Sequence, residues 1–228
     1  MSNLYIDVEA IPSQRQDVAA YLAAKAMTKE SRKGDDASLT AAAKAGADML
    51  RDTSLQPHLG ELAVVSIALD DNDPITYVRD LSDPQGERRL IDAVCADLWG
   101  MFRTVSFRQN LQHIVAHNAQ YDRTMLRTRC MVHRMTLPAE VHALGVKPWD
   151  SRWYCTQEAL RTDFRSFVSL DEACLAFGVP LMKGDIDGSK VWDAILAGRI
   201  DDVARYCADD VRRVRAVYQA IQGVRVVG

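Results

Sequence analysis

An acidic residue stands inside a short apolar segment close to the start of the chain. The segment Leu4-Tyr5-Ile6-Asp7-Val8 is rich in residues that favour β-strands, and it predicts a buried strand. An ionised carboxylate in such a strand is costly unless it is paired with, or bound to, a cation. We therefore expect Asp7 to face a partner or a bound cation inside the fold, and not to be an ordinary solvent-exposed residue.

Glu9 follows Asp7 at a spacing of two residues. Side chains two apart in a strand project from the same face, about 6–7 Å apart at the backbone, and such a pair can bind divalent cations. The spacing alone is weak evidence, because acids make up 31 of 228 residues and the pairs Asp71/Asp73 and Asp185/Asp187 repeat it. We interpret those two pairs as solvated turns, since no apolar strand surrounds them.

A second acidic segment follows the apolar Val115-Ala116 and reads His117-Asn118-Ala119-Gln120-Tyr121-Asp122. It predicts a strand that ends in polar residues, with a helix beginning close behind. Asp122 is a candidate for the same site as Asp7. The alternative is a carboxylate that is simply stabilised by the helix dipole, with Asn118 capping the same helix.

The third acidic segment is Tyr206-Cys207-Ala208-Asp209-Asp210, within a long helical pattern. Tyr206 and Asp210 are four residues apart and share one helical face. That face borders an apolar stripe, which would direct both side chains toward the sheet. We expect Asp209 to be the solvated member of the acidic pair.

The remaining pattern predicts an α/β chain with a mixed sheet flanked by helices. Strands are expected at 4–8, 61–69, 75–79 and 113–116 and near 149–154, with helices at about 84–102, 121–130, 170–177 and 201–222. Residues 13–53 predict a partly mobile insertion with helical pieces at 18–27 and 39–50. We interpret 1–228 as a single domain that carries this insertion.

In this order, the three acidic segments resemble the three exonuclease motifs of the DEDD superfamily of 3′-to-5′ exonucleases. The resemblance is strongest to the proofreading exonuclease domain of family B DNA polymerases and its stand-alone relatives. The matching residues are Asp7 and Glu9 in the first motif, Asn118, Tyr121 and Asp122 in the second, and Tyr206 and Asp210 in the third.

The resemblance spans nearly the whole chain, from Tyr5 to about Tyr218. Arg205 occupies the position at which the other subfamily has a catalytic histidine, so the chain is similar to the tyrosine subtype. The resemblance implies a ribonuclease H-like fold with a mixed five-stranded sheet. It also implies removal of nucleotides from the 3′ end of a nucleic acid.

The resemblance further implies a pair of metal ions held by Asp7, Glu9, Asp122 and Asp210. Oxygen ligands suit Mg²⁺ and Mn²⁺ better than zinc. Asp7 would bridge both ions, Glu9 and Asp210 would serve the nucleophile-side ion, and Asp122 the other. Tyr206 would orient the attacking water, because a phenol with a pKa near 10 is a poor free base.

Candidate substrate contacts are the backbone of Ala10 and the side chains of His117, Asn118 and Lys183. Many relatives have threonine at the position of Ala10, so a hydroxyl contact is absent here. For His117 the alternative is a histidine satisfied within the fold, and for Lys183 it is an ordinary surface lysine. The tryptophans at 149, 153 and 192 could stack on bases, but we expect them to pack in the core.

The net charge of −3 and pI of about 6.0 count against a protein that coats long duplexes, but not against one that binds a few nucleotides at a strand end. Five scattered cysteines without a CxxC pair predict reduced thiols and no zinc ribbon. No signal peptide or membrane span is evident, so a cytoplasmic protein without membrane contact is expected.

Two other functions remain open at this point. One is a scaffold that has lost catalysis, although all four acids are retained, and the other is an endonuclease on the same fold. Single-stranded DNA is favoured as substrate by the resemblance, while the residues themselves do not distinguish DNA from RNA. A proofreading role would require a polymerase or another replication or repair partner.

Overall fold

A computed structural model of the chain describes residues 1–31, 39–147, 151–163, 165–181 and 184–223. Five strands form one mixed sheet in the order β3-β2-β1-β4-β5. The strands are β1 (Ser2–Ile11), β2 (Glu61–Leu69), β3 (Ile75–Val78), β4 (Leu111–Ala116) and β5 (Trp153–Cys155). β1, β2 and β3 pair antiparallel, whereas β4 and β5 run parallel to β1. The expected mixed five-stranded sheet is confirmed.

The longer helices lie close to where the sequence pattern predicts them. The helices are α1 (Gln16–Ser31), α2 (Leu39–Arg51), α3 (Gly86–Phe102), α4 (Val105–Asn110), α5 (Ala119–Val132), α6 (Ala139–His142), α7 (Thr156–Leu160), α8 (Leu170–Phe177), α9 (Val191–Leu196) and α10 (Ile200–Gln222). The short helices α4, α6, α7 and α9 were not predicted, because four to six residues are too few for a helical period to stand out. No helix in the described part of the chain is both long and apolar enough to cross a membrane.

The fifth strand differs from its prediction. A strand was expected near 149–154, but β5 covers only Trp153–Cys155. Residues 148–150 lie outside the described part of the chain, and the prediction that Trp149 packs in the core therefore falls outside it as well.

The sheet separates two apolar layers, and β1 contributes to both. Leu4, Ile6 and Val8 pack in the larger cluster with residues of α3 and α5, while Tyr5 and Ile11 pack on the side of α9 and α10. This alternation is the two-residue period of a strand with both faces covered. It places the odd-numbered Asp7 and Glu9 on the same side as α10.

A buried charge network joins α3, α5 and β2. The Glu87 carboxylate accepts hydrogen bonds from the Arg129 guanidinium at 2.8 and 2.7 Å, from His133 Nε2 at 2.7 Å and from the Leu62 amide at 2.7 Å. Burial alone would raise the pKa of Glu87, but the hydrogen bonds from His133 and Arg129 outweigh it and lower the pKa to about 2. Glu87 is therefore ionised in the folded protein.

We predict that Glu87→Gln lowers the free energy of unfolding by about 3 kcal/mol, because Arg129 would stay buried without its counter-charge. Urea unfolding followed by circular dichroism measures this loss. Glu158→Gln is the control, since the Glu158–Arg161 pair is largely exposed and contributes about 0–1 kcal/mol. Equal losses in the two variants would show that the buried network does not stabilise the fold.

The helices of the 13–53 insertion pack on each other and on the body of the protein. A Cβ at Gly46 in α2 would lie 3.3 Å from the Ala23 Cα in α1, so glycine permits this close approach. Arg51 binds Asp193 of α9 through two hydrogen bonds of 2.9 and 2.7 Å. The two helical pieces agree with the sequence pattern, while the mobility of the insertion stays a prediction.

Candidate active site

Three carboxylates meet where β1 and α10 pack together. Oxygen atoms of Asp7, Glu9 and Asp210 all lie within 4.8 Å of one another. Glu9 and Asp210 are buried, whereas Asp7 keeps one edge open toward a cleft. The Asp7 Oδ2 atom is sealed from solvent and has no hydrogen-bond partner among the described residues. A buried carboxylate oxygen without a donor requires either a proton or a cation.

Asp122 reaches the same region from α5. The parallel pairing of β1 with β4 ends at Tyr5↔Val115, and beyond that point β1 stays paired with β2 only. The free Val8 amide donates a hydrogen bond of 3.2 Å to Asp122 Oδ1. Asp122 thus lies where β1 and β4 separate. It is beside the cluster of Asp7, Glu9 and Asp210 but does not belong to it.

Two other residues of the second acidic segment shape the start of α5. Asn118 precedes the helix with a left-handed backbone (φ 59°), a conformation that asparagine tolerates well, and turns the chain from β4 into α5. Asn118 is the N-cap residue of α5, and its carbonyl accepts the Tyr121 amide at 2.8 Å, but its side chain makes no capping hydrogen bond. The Tyr121 hydroxyl donates to the Ser54 carbonyl at 3.0 Å, which ties α5 to the 3₁₀ turn Asp52–Leu55.

The negative charges of these carboxylates outnumber the positive charge beside them, which comes from Arg213. Burial raises the pKa of Asp7 to about 8, with the nearby Asp210 adding to the shift. Burial, and then the charge of Asp7, also raises the pKa values of Glu9 and Asp122. The pKa of Asp210 is raised by burial as well, although Arg213 opposes that shift.

Tyr206 precedes Asp210 by one turn of α10 and lines the same cleft. Burial is the largest cause that raises the pKa of its hydroxyl, followed by the negative charges of Asp210 and Glu9. The hydroxyl therefore stays protonated at ordinary pH. It is suited to hold a water molecule by hydrogen bonding and not to act as a base.

Of the four carboxylates, Asp7 and Asp210 open onto a cleft of about 340 Å³. Its walls come from the end of β4, the loop before α8, the loop before α9, and α10. The lining residues are Asp7, His117, Phe167, Ser169, Leu170, Asp171, Gly184, Ile186, Asp187, Gly188, Tyr206, Asp210 and Arg213. The lining is thus mixed, with charged side chains and the apolar Phe167, Leu170 and Ile186.

Residues 53–226 match the model of a family described as predicted 3′-5′ exonucleases related to the exonuclease domain of PolB. The match covers more than half of the chain. The chain belongs to this family. The matched residues include Asp122, Tyr206 and Asp210, whereas Asp7 and Glu9 precede them in the sequence.

The fold of this exonuclease-family chain is also similar to that of a much larger protein. The family B DNA polymerase from the hyperthermophilic archaeon Pyrobaculum calidifontis superimposes with a TM-score of 0.60 at 15% identity. The similarity covers 97% of this chain and 24% of the polymerase, so the chain spans about a quarter of that protein's length. It supports the ribonuclease H-like fold. No protein with curated annotation matches the sequence.

The residues that were predicted to contact substrate differ from one another in their environments. His117 lines the cleft, but its Nδ1 lies 2.9 Å from Thr156 Oγ1 and its Nε2 lies 2.8 Å from the Val168 carbonyl. Burial lowers its pKa, so His117 is a neutral histidine satisfied within the fold. Ala10 is buried in the core beside a register shift of β1. Lys183 lies outside the described residues.

Asp209 and Asp210 have opposite surroundings, as the helical pattern predicts. Asp209 pairs with Arg212 at 2.6 Å on the partly exposed side of α10. Asp210 is buried and hydrogen-bonded to Arg213, which also binds Asp171 from α8. Arg213 and Asp171 were not identified from the sequence. The signal for Arg213 is its i,i+3 spacing from Asp210, which puts both residues on one side of α10.

Proposed function

We propose that the protein is a metal-dependent exonuclease that hydrolyses phosphodiester bonds from the 3′ end of single-stranded DNA and releases nucleoside 5′-monophosphates. The observation that carries this proposal is the buried cluster of Asp7, Glu9 and Asp210, with Asp122 beside it, opening onto a cleft. Membership of a family of predicted 3′-5′ exonucleases supports the direction of cleavage. The position of Tyr206, one turn of α10 before Asp210, supports assignment to the tyrosine subtype of the DEDD exonucleases.

The residues of this cluster fit a pair of hard divalent cations. All candidate ligands are carboxylate oxygens, which Mg²⁺ and Mn²⁺ prefer. The buried Asp7 Oδ2, which lacks a hydrogen-bond donor, supplies a ligand atom that is not otherwise used. Asp7, Glu9, Asp122 and Asp210 would hold two Mg²⁺ or Mn²⁺ ions. When bound, such ions activate water and stabilise the charge that develops on the phosphate.

The protein's own groups contribute positioning and charge balance. Tyr206 holds the attacking water through its protonated hydroxyl, in line with its raised pKa. Arg213 fixes the carboxylate of Asp210 and is itself held by Asp171, so the position of Asp210 is set before substrate arrives. Such preorganisation lowers the reorganisation required during the reaction.

A strand end is the substrate that suits the cleft and the charge of the chain. Its volume of about 340 Å³ is at the small end of the range for ligand pockets, roughly 300–1,000 Å³. The net charge of −3 favours gripping a few nucleotides over binding a long duplex. The relation of the family to the exonuclease domain of PolB supports DNA, and a replication or repair partner is a further part of the proposal.

The test is digestion of a single-stranded oligonucleotide, labelled at the 5′ end in one reaction and internally in another, with Mg²⁺ or Mn²⁺. We expect a ladder of products that shorten progressively from the 3′ end. Internal cuts would indicate the endonuclease alternative instead. The absence of cleavage with either ion would contradict the proposal and favour a scaffold.

We predict that Tyr206→Phe lowers kcat about a hundredfold without abolishing hydrolysis, because the attacking water would lose its orienting hydroxyl. The metal-induced rise in melting temperature should be unchanged, since the carboxylates remain. Tyr21→Phe is the control, because Tyr21 is exposed on α1. Full kcat in Tyr206→Phe would show that this hydroxyl has no part in the reaction.

A further inference from the structure

Two cysteine side chains meet on the face of the sheet opposite the carboxylate cleft. Cys95 of α3 and Cys130 of α5 belong to the larger apolar cluster, in which these two helices cover the sheet. Their sulfur atoms lie 3.8 Å apart, in hydrogen-bonding contact. All five cysteines lie in the described part of the chain, and no other two of their sulfurs make such a contact there. The pair is therefore separate from the candidate active site.

A second cleft, of about 500 Å³, gives small molecules access to this pair. Cys95 lines it and keeps 6% of its surface exposed, whereas Cys130 does not line it and is only 1% exposed. Arg103 and Arg134 are among the other lining residues. This cleft shares no lining residue with the carboxylate cleft. A reagent that enters from solvent therefore meets Cys95 before Cys130.

The contact between the two sulfurs gives the thiols different acidities. The hydrogen bond from Cys130 is the largest cause that shifts the pKa of Cys95, and it lowers this pKa although burial and the charge of Asp92 oppose it. The same hydrogen bond is the largest cause that raises the pKa of Cys130. The thiolate, and not the thiol, is the nucleophile. Cys95 is thus the thiol that attacks first, with Cys130 beside it.

We propose that Cys95 and Cys130 are a modification site at which a hydroperoxide, such as hydrogen peroxide, forms a disulfide that links α3 to α5. Both cysteines are free in the structure, so the reduced pair is the starting state. The sulfurs need to approach by about 1.8 Å to bond, which is within the roughly 1–2 Å over which packed helices shift. This inference goes beyond the proposed function and does not depend on it.

The modification takes two steps. The Cys95 thiolate attacks one oxygen of hydrogen peroxide, the O–O bond breaks, and the leaving hydroxide takes up the proton that Cys95 had released. Cys95 is thereby oxidised by two electrons to a sulfenic acid, and the peroxide is reduced to water. The Cys130 sulfur then attacks the Cys95 sulfur, the S–O bond breaks, and hydroxide leaves with the Cys130 proton as a second water. The chain loses two hydrogen atoms in total.

The first test exposes the folded, reduced wild-type chain to a small excess of hydrogen peroxide. Free thiols are then blocked, and peptides are mapped by mass spectrometry without reduction. We expect the Cys95 peptide to be linked to the Cys130 peptide, a chain mass lower by about 2 Da, and recovery of both thiols with dithiothreitol. A link between any other two cysteines, a sulfinic acid at Cys95 without a link, or no reaction of either thiol would overturn the inference.

The second test separates the roles of the two thiols. Cys130→Ser should keep a sulfenic acid at Cys95 that dimedone traps, because the thiol that would displace it is absent. Cys95→Ser should leave Cys130 unoxidised, since Cys130 does not line the cleft. Dimedone bound at Cys130 instead of Cys95 would contradict the assignment.

Cys174→Ser is the matched control, because Cys174 is also buried but packs in a different cluster. It should form the link between Cys95 and Cys130 as the wild-type protein does. Loss of the link in this variant would show that the pair is not the site. The wild-type peptide map needs no substitution, so the inference stays testable if a variant fails to fold.

Discussion

Replacing Asp7 with asparagine is expected to abolish hydrolysis from the 3′ end, with kcat lowered by at least about a thousandfold. That factor corresponds to about 4 kcal/mol of the activation barrier. The expectation follows from the central position of Asp7, whose oxygens lie within 4.8 Å of Glu9 and Asp210 and whose charge, among the neighbouring charges, raises the pKa of Asp122 most. End-labelled oligonucleotides with Mg²⁺ or Mn²⁺ measure the loss.

The same substitution should stabilise the protein when no metal is present. Asparagine replaces a carboxyl group whose ionisation is opposed by burial and by neighbouring acids, and its amide can donate to Glu9 or Asp210. A gain of about 1 kcal/mol would raise the melting temperature by roughly 2–4 °C in a chain of this size. The rise in melting temperature on adding Mg²⁺ should disappear at the same time.

Asp71→Asn is the matched control for both measurements, because Asp71 belongs to an Asp-x-Asp pair on an exposed turn. It should leave hydrolysis and the metal response unchanged. Full activity in Asp7→Asn would show that Asp7 is not a metal ligand. A large loss of stability without metal would instead indicate that Asp7 has a structural role.

The residues that sequence reasoning placed well are those whose positions depend on a local period. Asp7 and Glu9 share a strand face because the period of a strand is two residues. Tyr206 and Asp210 share a helix face because four residues make about one turn. In both cases the flanking apolar residues also indicated which face is buried. Trp153 and Trp192 pack against core clusters for the same reason.

Contacts between distant segments could not be predicted in this way. Asp122 accepts the Val8 amide, 114 residues away, because β1 and β4 separate just where α5 begins. Arg213 binds Asp171 across 42 residues, and only the packing of α8 on α10 brings them together. No periodicity of the chain encodes either distance.

The environments of individual side chains in loops could not be predicted from the sequence either. His117 was an ambiguous candidate until the structure placed Thr156 and the Val168 carbonyl at its two ring nitrogens. Phe167 lies in a segment without helix or strand, so no pattern indicated that it faces the cleft. For such residues the tertiary fold, and not the local sequence, decides between a core and a binding role.

The pH dependence of stability is the second large effect expected from the carboxylate cluster. The pKa of Asp7 rises from an ordinary 3.8 to about 8 on folding, chiefly through burial. Between these values the folded protein holds a proton that the unfolded chain has released, so stability falls as pH increases. The stabilising contribution is fully present below about pH 4 and is lost once pH passes about 8.

The part of this loss that Asp7 contributes in the metal-free protein is about 3 kcal/mol, or roughly 6–12 °C in melting temperature. It is smaller than the full pKa shift would give, because one edge of Asp7 faces the cleft and solvent screens it. Glu87 does not offset this trend, since its lowered pKa makes its contribution disappear only at acidic pH, below about 4.

Saturating Mg²⁺ should remove most of this pH dependence, because a bound cation keeps the carboxylates ionised in the folded protein. The difference in melting temperature between the metal-loaded and metal-free protein should therefore widen from pH 6 to pH 8.5. Thermal melts at several pH values, with and without Mg²⁺, measure this difference. Asp7→Asn should make the metal-free curve less steep, while the raised pKa values of Glu9 and Asp122 keep part of the pH dependence. A constant difference across this range would mean that the cluster binds no cation in competition with protons.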